Sequence, residues 1–253
     1  MKFEFFDANV WIGRLMNDKL NISITSEELV RKMESLEIKK AVVYHIYQRD
    51  LHPEIGNKVL IDEIANKPSL YGLLTILPSQ MEETKNINFR ELKMQKIIGF
   101  TFFPKRHNYL LNKITLGDFL SELEYRKFPI FLDLLSGFSV DYQDVYSLLN
   151  DFPNLVCILC NLGIWNSDRY TWPILDKFPN VYLESSFLSL YEGGVEETVK
   201  RFGGSRVVFG SGYPERYMEA SMLQLIHSEI GEDEKEKIAH KNIEKIIGEI
   251  KYE

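Results

Sequence analysis

The chain has 253 residues, of which 45% are hydrophobic and 26% charged, and a net charge of −7 at pH 7. That size and balance suit one large α/β domain or two small ones, and scattered lysines and arginines on an acidic chain argue against a nucleic-acid surface, which needs a basic face. No apolar run reaches the ~18 residues of a membrane span and no signal-peptide pattern opens the chain, so the reading is a cytoplasmic protein with no membrane contact.

In chain order, strand-like and helix-like stretches alternate from end to end. The strand-like runs are KFEFF at the start, Ala41 to Ile46, Tyr71 to Leu77, Ile97 to Phe103, Pro129 to Leu135, Leu155 to Leu162, Asn180 to Ser186 and Arg206 to Gly212. Most are continuously apolar, as expected of parallel strands covered on both faces. Between them, Ser26 reads as the N-cap of EELVRKMESL and Pro53 as the first turn of the next helix. Phe119, Leu120 and Leu123 mark a further helix, Asp141 caps DYQDVYSLLN, and a helix begins near Glu192. The tail holds two helical patterns, MEASMLQLIHSEI and DEKEKIAHKNIEKIIGEI. Eight strand–helix units in this length, with no Gly/Ser/Pro-rich linker, predict a single α/β domain over residues 1–253: a (β/α)8 TIM barrel with C-terminal helices. An open doubly wound sheet is the alternative, but no G-x-G-x-x-G follows the first strand.

In such a barrel the pocket lies at the C-terminal ends of the strands. The residues there are Asp7, Asn9 and Trp11 on the first run, spaced to share one face. His45, Arg49 and His52 follow the second. Thr101, Phe103, Lys105, Arg106 and His107 follow the fourth. Asp133 ends the fifth, Asn161 and Trp165 the sixth, and Glu184 and Ser186 the seventh. The eighth ends in Ser211, Gly212, Tyr213, Glu215 and Arg216. The C-x-x-C of Cys157 and Cys160 lies inside an apolar strand, where residues three apart face opposite ways. Those thiols read as buried and inert rather than as a redox or metal pair.

Taken together these stretches resemble the amidohydrolase-related branch of the metal-dependent TIM-barrel hydrolases, which includes relatives of aminocarboxymuconate-semialdehyde decarboxylase. FDANVWIG resembles the D-x-H-x-H-x-G strand of that branch, GFTFFP its G-[FV]-K-L-H-P, and FPIFLD its P-[VI]-x-x-H. FPNLVCILCNLG, FPNVYLESS, SRVVFGSGYP and the closing EKIAHKNIEKIIG, with Asn242, follow its later motifs in order and spacing. The resemblance implies a pocket at the family's metal-ligand positions. Asn9 and Trp11 stand where the family has two histidines, Asp133 and Asn161 where it has one each, Thr101 and Phe103 at the fourth-strand polar positions, and Gly212 where it has an aspartate. It also implies a homodimer as a candidate assembly.

Amides, an indole and a glycine are poor ligands for a catalytic transition metal, so no metal or other cofactor is expected. The leading expectation is a non-catalytic or ligand-binding descendant that takes a small molecule. The alternative is a metal-independent hydrolase, lactonase or lyase acting on a small anionic compound, with Asp133 as acid or base and His45 or Glu184 as its partner. A conventional metal-dependent amidohydrolase ranks third. Lys105, Arg106, Trp165, Tyr213 and Arg216 are ligand-binding candidates. Each of these residues also has a structural reading, as a solvated loop charge, a strand-end polar group or a space-filling ring.

Overall fold

A computed structural model of the protein describes residues 3–16, 21–78, 87–135, 137–162, 168–190 and 193–253. Its first strand, β1 (Phe5–Arg14), does not stop at Phe6 but runs ten residues through Asp7, Asn9 and Trp11. It pairs in parallel with β3 (Ile38–His45), and the register slips between Asp7 and Val10. A slip of this kind is a bulge, and it breaks the simple alternation expected over 7, 9 and 11. The parallel ladder continues through β4 (Leu70–Leu74), β5 (Ile97–Thr101), β6 (Ile130–Asp133), β7 (Cys157–Cys160), β8 (Val181–Glu184) and β9 (Val207–Val208). A short antiparallel strand, β2 (Ser23–Ile24), pairs with the end of β1 and was not foreseen from the sequence.

The sheet curls until its ends meet. The Ala8 N–H donates to the Phe209 carbonyl at 2.8 Å, Gly212 N–H to Asn9 O at 2.9 Å, and Trp11 N–H to Tyr213 O at 3.1 Å. Val10 and Tyr213 form a parallel bridge. All eight runs read from the sequence are therefore strands or strand ends of one barrel, with β1 at the seam. Continuous burial explains their composition: every residue of β5 and β7 is buried. Cys157 and Cys160 are free, buried thiols on β7, and burial pushes both upward from the usual thiol range.

Helices cover the outside. In α1 (Ser26–Ser35) the N-cap is Thr25 rather than Ser26, in a reciprocal box with Glu28. After α2 (Tyr47–Asp50), Pro53 opens α3 (Pro53–Ile64), whose Leu60 and Ile64 are buried. Next come α4 (Phe89–Met94), α5 (Pro104–His107), α6 (Lys113–Arg126) and α7 (Tyr142–Asp151), the last capped by Asp141 as expected. Neither α4 nor α8 (Asp168–Lys177), which carries Pro173 within it, is among the helices expected from the sequence. The expected helix near Glu192 is α9 (Gly194–Phe202); Glu192 itself lies outside the described residues.

The tail is α10 (Met218–His227), α11 (Glu232–Glu236), a π turn (Lys237–Lys241) and α12 (Asn242–Gly248). The π turn lies where the Ile238 carbonyl accepts the Phe209 N–H at 2.9 Å, so the closing helix holds the last strand directly. Asn242 completes that attachment. Its buried side-chain amide donates to the carbonyls of Gly204 and Val207 at 2.8 and 2.6 Å.

Asn242→Ala leaves two backbone acceptors near β9 without their donor. We expect it to lower unfolding free energy by about 2–4 kcal/mol, read as a shifted urea midpoint at unchanged slope.

Candidate functional site at the barrel mouth

The strand tips gather around one carboxylate. Glu184, the last residue of β8, is fully buried. Its Oε2 accepts from the Asn9 side-chain amide at 2.8 Å, the Ser186 hydroxyl at 2.9 Å and the Asn161 N–H at 3.3 Å, and its Oε1 accepts from the Ser186 N–H. Asn9 comes from the bulged part of β1, and Asn161 follows β7 in the left-handed region at φ 51°. The Asn9 amide also donates to Asn161 Oδ1 at 2.9 Å. Arg216 closes the network from the loop after β9. Its Nη2 donates to Asn161 Oδ1 and, at 3.1 Å, to Ser186 Oγ; its Nε donates to Ser211 O at 3.3 Å.

Asp7 sits beside this network and is also fully buried. Its Oδ1 accepts the N–H groups of Asn9 at 3.1 Å and Ser211 at 2.9 Å, while its Oδ2 has no hydrogen-bond partner among the described residues. Burial outweighs those hydrogen bonds and pushes its carboxyl up from 3.8 to about 7. Trp11 is buried, and its indole bonds Glu215.

Outside the network a cleft of about 430 Å³ opens at the mouth. Its polar wall carries Arg49, Arg106, Asp133, Asn161 and Glu215, and its apolar wall carries Met16, Leu135 and Phe138. Arg49 is held by a bidentate pair with Asp50, at 2.8 and 3.1 Å, in which both side chains are almost wholly buried. The guanidinium groups of Arg49 and Arg106 lie 5.0 and 5.6 Å from the Phe138 ring centre. Desolvation and the neighbouring Asp133 raise the Glu215 carboxyl above its ordinary value, against the pull of Arg49.

The expected site residues divide accordingly. Asp133, Asn161 and Arg106 line the cleft. Glu184, Asn9 and Arg216 form the inner network. Thr101 and Phe103 are buried, and with the half-buried Asn9 they line a small void of about 20 Å³. Phe103 packs on Tyr44 at 5.5 Å, so it and Trp11 present no open stacking wall.

His45 is not brought to Asp133. Val42 and Tyr44 of β3 face the barrel interior, which turns His45 to the other side. There its ring lies over Gly13 and its Nδ1 accepts the Tyr47 N–H at 3.2 Å. Burial lowers it to about 4, so it is neutral near pH 7. Lys105 leaves the cleft for an exposed ion pair with Asp141 at 3.1 Å. Tyr213 serves the barrel seam through its backbone, and Trp165 lies outside the described residues. Arg49 and Glu215 stand at strand ends in the sequence, but nothing local to them marks a role in the cleft. Their position just past the tips of β3 and β9 was the available signal.

The curled, mostly parallel sheet thus meets itself at the β1 seam and carries a polar mouth at its strand tips. The amidohydrolase family model matches residues 42–248, and the chain belongs to that family. The match begins within β3 and does not include β1. No curated protein sequence matches.

Several solved structures share the fold. An uncharacterised TIM-barrel protein from Bordetella bronchiseptica has 15% identity and a TM-score of 0.76, over 98% of this chain and 99% of that one. A 2,6-dihydroxybenzoate decarboxylase from Rhizobium has 14% identity and a TM-score of 0.74, over 97% and 99%. A 5-carboxyvanillate decarboxylase from Novosphingobium aromaticivorans, complexed with manganese and 4-hydroxy-3-methoxy-5-nitrobenzoic acid, has 12% identity and a TM-score of 0.76, over 97% and 96%. Among the described residues no helix is long and apolar enough to cross a membrane, and no group of three or more His, Cys, Asp or Glu could hold a metal ion.

Asp7 gives this site a pH signature. Its folded pKa of about 7 exceeds the ordinary 3.8, so the folded chain keeps a proton that the unfolded chain has released. Its contribution to stability is complete below about pH 4 and falls as pH rises through 7, by up to about 4 kcal/mol. Asp7→Asn keeps an acceptor for Asn9 and Ser211 but cannot ionise. Urea unfolding across that range is expected to show a flatter stability profile than the parent protein.

Proposed function

We propose that this protein binds a small organic molecule in the mouth cleft and does so without a divalent metal. The observation that carries the reading is how the mouth side chains are occupied. Asn9, Asn161 and Ser186 are committed to the buried Glu184 carboxylate and to Arg216.

Manganese is named in the 5-carboxyvanillate decarboxylase structure, so its fit to this chain needs a test of donor chemistry. A catalytic divalent ion wants imidazole and carboxylate ligands. The mouth supplies neutral amide oxygens from Asn9 and Asn161, an indole from Trp11, no side chain at Gly212, the Asp133 carboxyl, the Asp7 carboxyl that burial biases toward its neutral form, and Glu184, whose oxygens accept four hydrogen bonds; among the described residues it supplies no imidazole. That set does not fit the ion, and no step is derived through one.

The cleft is of the size that holds a single substituted ring. Met16, Leu135 and Phe138 offer an apolar contact, and Arg49 and Arg106 offer donors to a carboxylate or phenolate oxygen. The decarboxylases of similar fold act on ring carboxylates by their names, which agrees in kind with this occupant.

A second reading, metal-independent catalysis, is favoured by one feature. Asp133 and Glu215 face the same cleft, and Glu215 has a raised carboxyl. Asp133 would then pair with Glu215 as acid and base, since His45 is turned away and Glu184 is enclosed.

Protein purified without chelators is expected to carry substoichiometric manganese, zinc and iron by elemental analysis; one tightly held equivalent overturns the metal-free reading. In a calorimetric screen of hydroxybenzoates and small lactones, a binder is expected to lose about tenfold or more in affinity in Arg106→Ala. If any of these compounds is turned over, abolition of turnover in Asp133→Asn with binding retained would select the catalytic reading over binding alone.

A further inference from the structure

We propose that the Arg216 guanidinium is the resident cation of the barrel mouth: it fills the space above Gly212 and claims the Asn161 and Ser186 oxygens, leaving a divalent ion neither room nor donors. This rests on the metal-free reading above and names the residue that enforces it.

Three observations converge. First, Gly212 lies in the left-handed region at φ 68°, and a Cβ built on it falls within bonding distance of Arg216 Nη2. The side chain that this strand end lacks is thus replaced in space by a side chain from four residues on. Second, the loop is folded to put it there. The Arg216 N–H returns to the Gly212 carbonyl at 3.2 Å, and the guanidinium lies 4.4 Å from the Phe187 ring centre. Third, the cation is wired to the buried anion. Nη2 bonds Asn161 Oδ1 and Ser186 Oγ, and the Ser186 hydroxyl and the Asn9 amide both continue to Glu184 Oε2.

A tethered monocation differs from a bound ion in its chemistry. It donates through fixed N–H groups, cannot act as a Lewis acid, and is not lost to chelators. Its charge also opposes any second cation at the same oxygens, and in a partly buried site that repulsion is poorly screened. Arg216 therefore sets which cation the mouth contains and positions Asn161, the network residue that also faces the cleft.

Arg216→Ala opens a hole shaped for a guanidinium. The variant is expected to melt at a lower temperature, and about 10 mM methylguanidinium is expected to restore roughly 3 °C relative to matched sodium chloride, with no such gain in the parent protein. A merely structural arginine predicts the loss without the selective rescue. Equal responses of the two proteins, or no response in folded Arg216→Ala, overturn the proposal. Should that variant not fold, the parent protein still decides: in nitrogen-15 spectra the Arg216 Nε–H signal is expected to stay sharp on addition of manganese chloride. Its selective broadening, with one manganese bound per chain, overturns this proposal and the metal-free reading together. A parent protein that ignores manganese, with a folded variant that ignores methylguanidinium, overturns this proposal alone.

Discussion

A buried carboxylate has to be answered by donors, and Glu184 at the tip of β8 is the group whose burial organises the mouth of this barrel. The donors come from β1 through Asn9, from the end of β7 through Asn161, and from the turn after β8 through Ser186. Arg216 reaches the same cluster from beyond β9 and brings the compensating positive charge within one intervening side chain. The network thus ties together the strand ends on either side of the seam, where the backbone ladder is short and β9 is only two residues long.

That arrangement separates two regions that a polar barrel mouth would otherwise merge. Below, amides, hydroxyls and the two charges of Glu184 and Arg216 satisfy one another. Above, the cleft keeps groups that can face an incoming molecule: Asp133, Glu215, Arg106 and the outer side of Arg49, against Phe138 and Leu135. Arg49 is held in place by Asp50 from the same short helix, so its direction is set before any ligand arrives. Preorganisation of this kind lowers the cost of binding without adding contacts. The amidohydrolase fold provides the concave end of the barrel, and the side chains of this particular chain decide which chemistry the end can support.

Much of the fold was legible because buried parallel strands leave long apolar runs, and caps such as Asp141 and Pro53 leave local signatures. The helix α8 was missed because Pro173 and a short apolar stripe hide it, and α4 because six residues make too small a pattern. The site was legible in part. Asp133 and Asn161 face the cleft as their places at strand tips imply. His45 was misplaced by one residue of parity, since Val42 and Tyr44 take the inward face of β3. Lys105 and Arg106 are adjacent in sequence, yet one pairs with Asp141 and the other lines the cleft, a choice made by the turn of α5 rather than by composition.

The sequence by itself determined the succession of strands and helices, the family, and the residue types that stand at each strand tip, because hydrophobic period, turn residues and motif spacing are local properties. Only the tertiary structure decided which of those tips meet. The bulge in β1, the left-handed turn at Asn161 and the loop that returns Arg216 over Gly212 bring together groups 23 to 175 positions apart in the chain. Contacts of that span depend on barrel closure, and no local pattern records them.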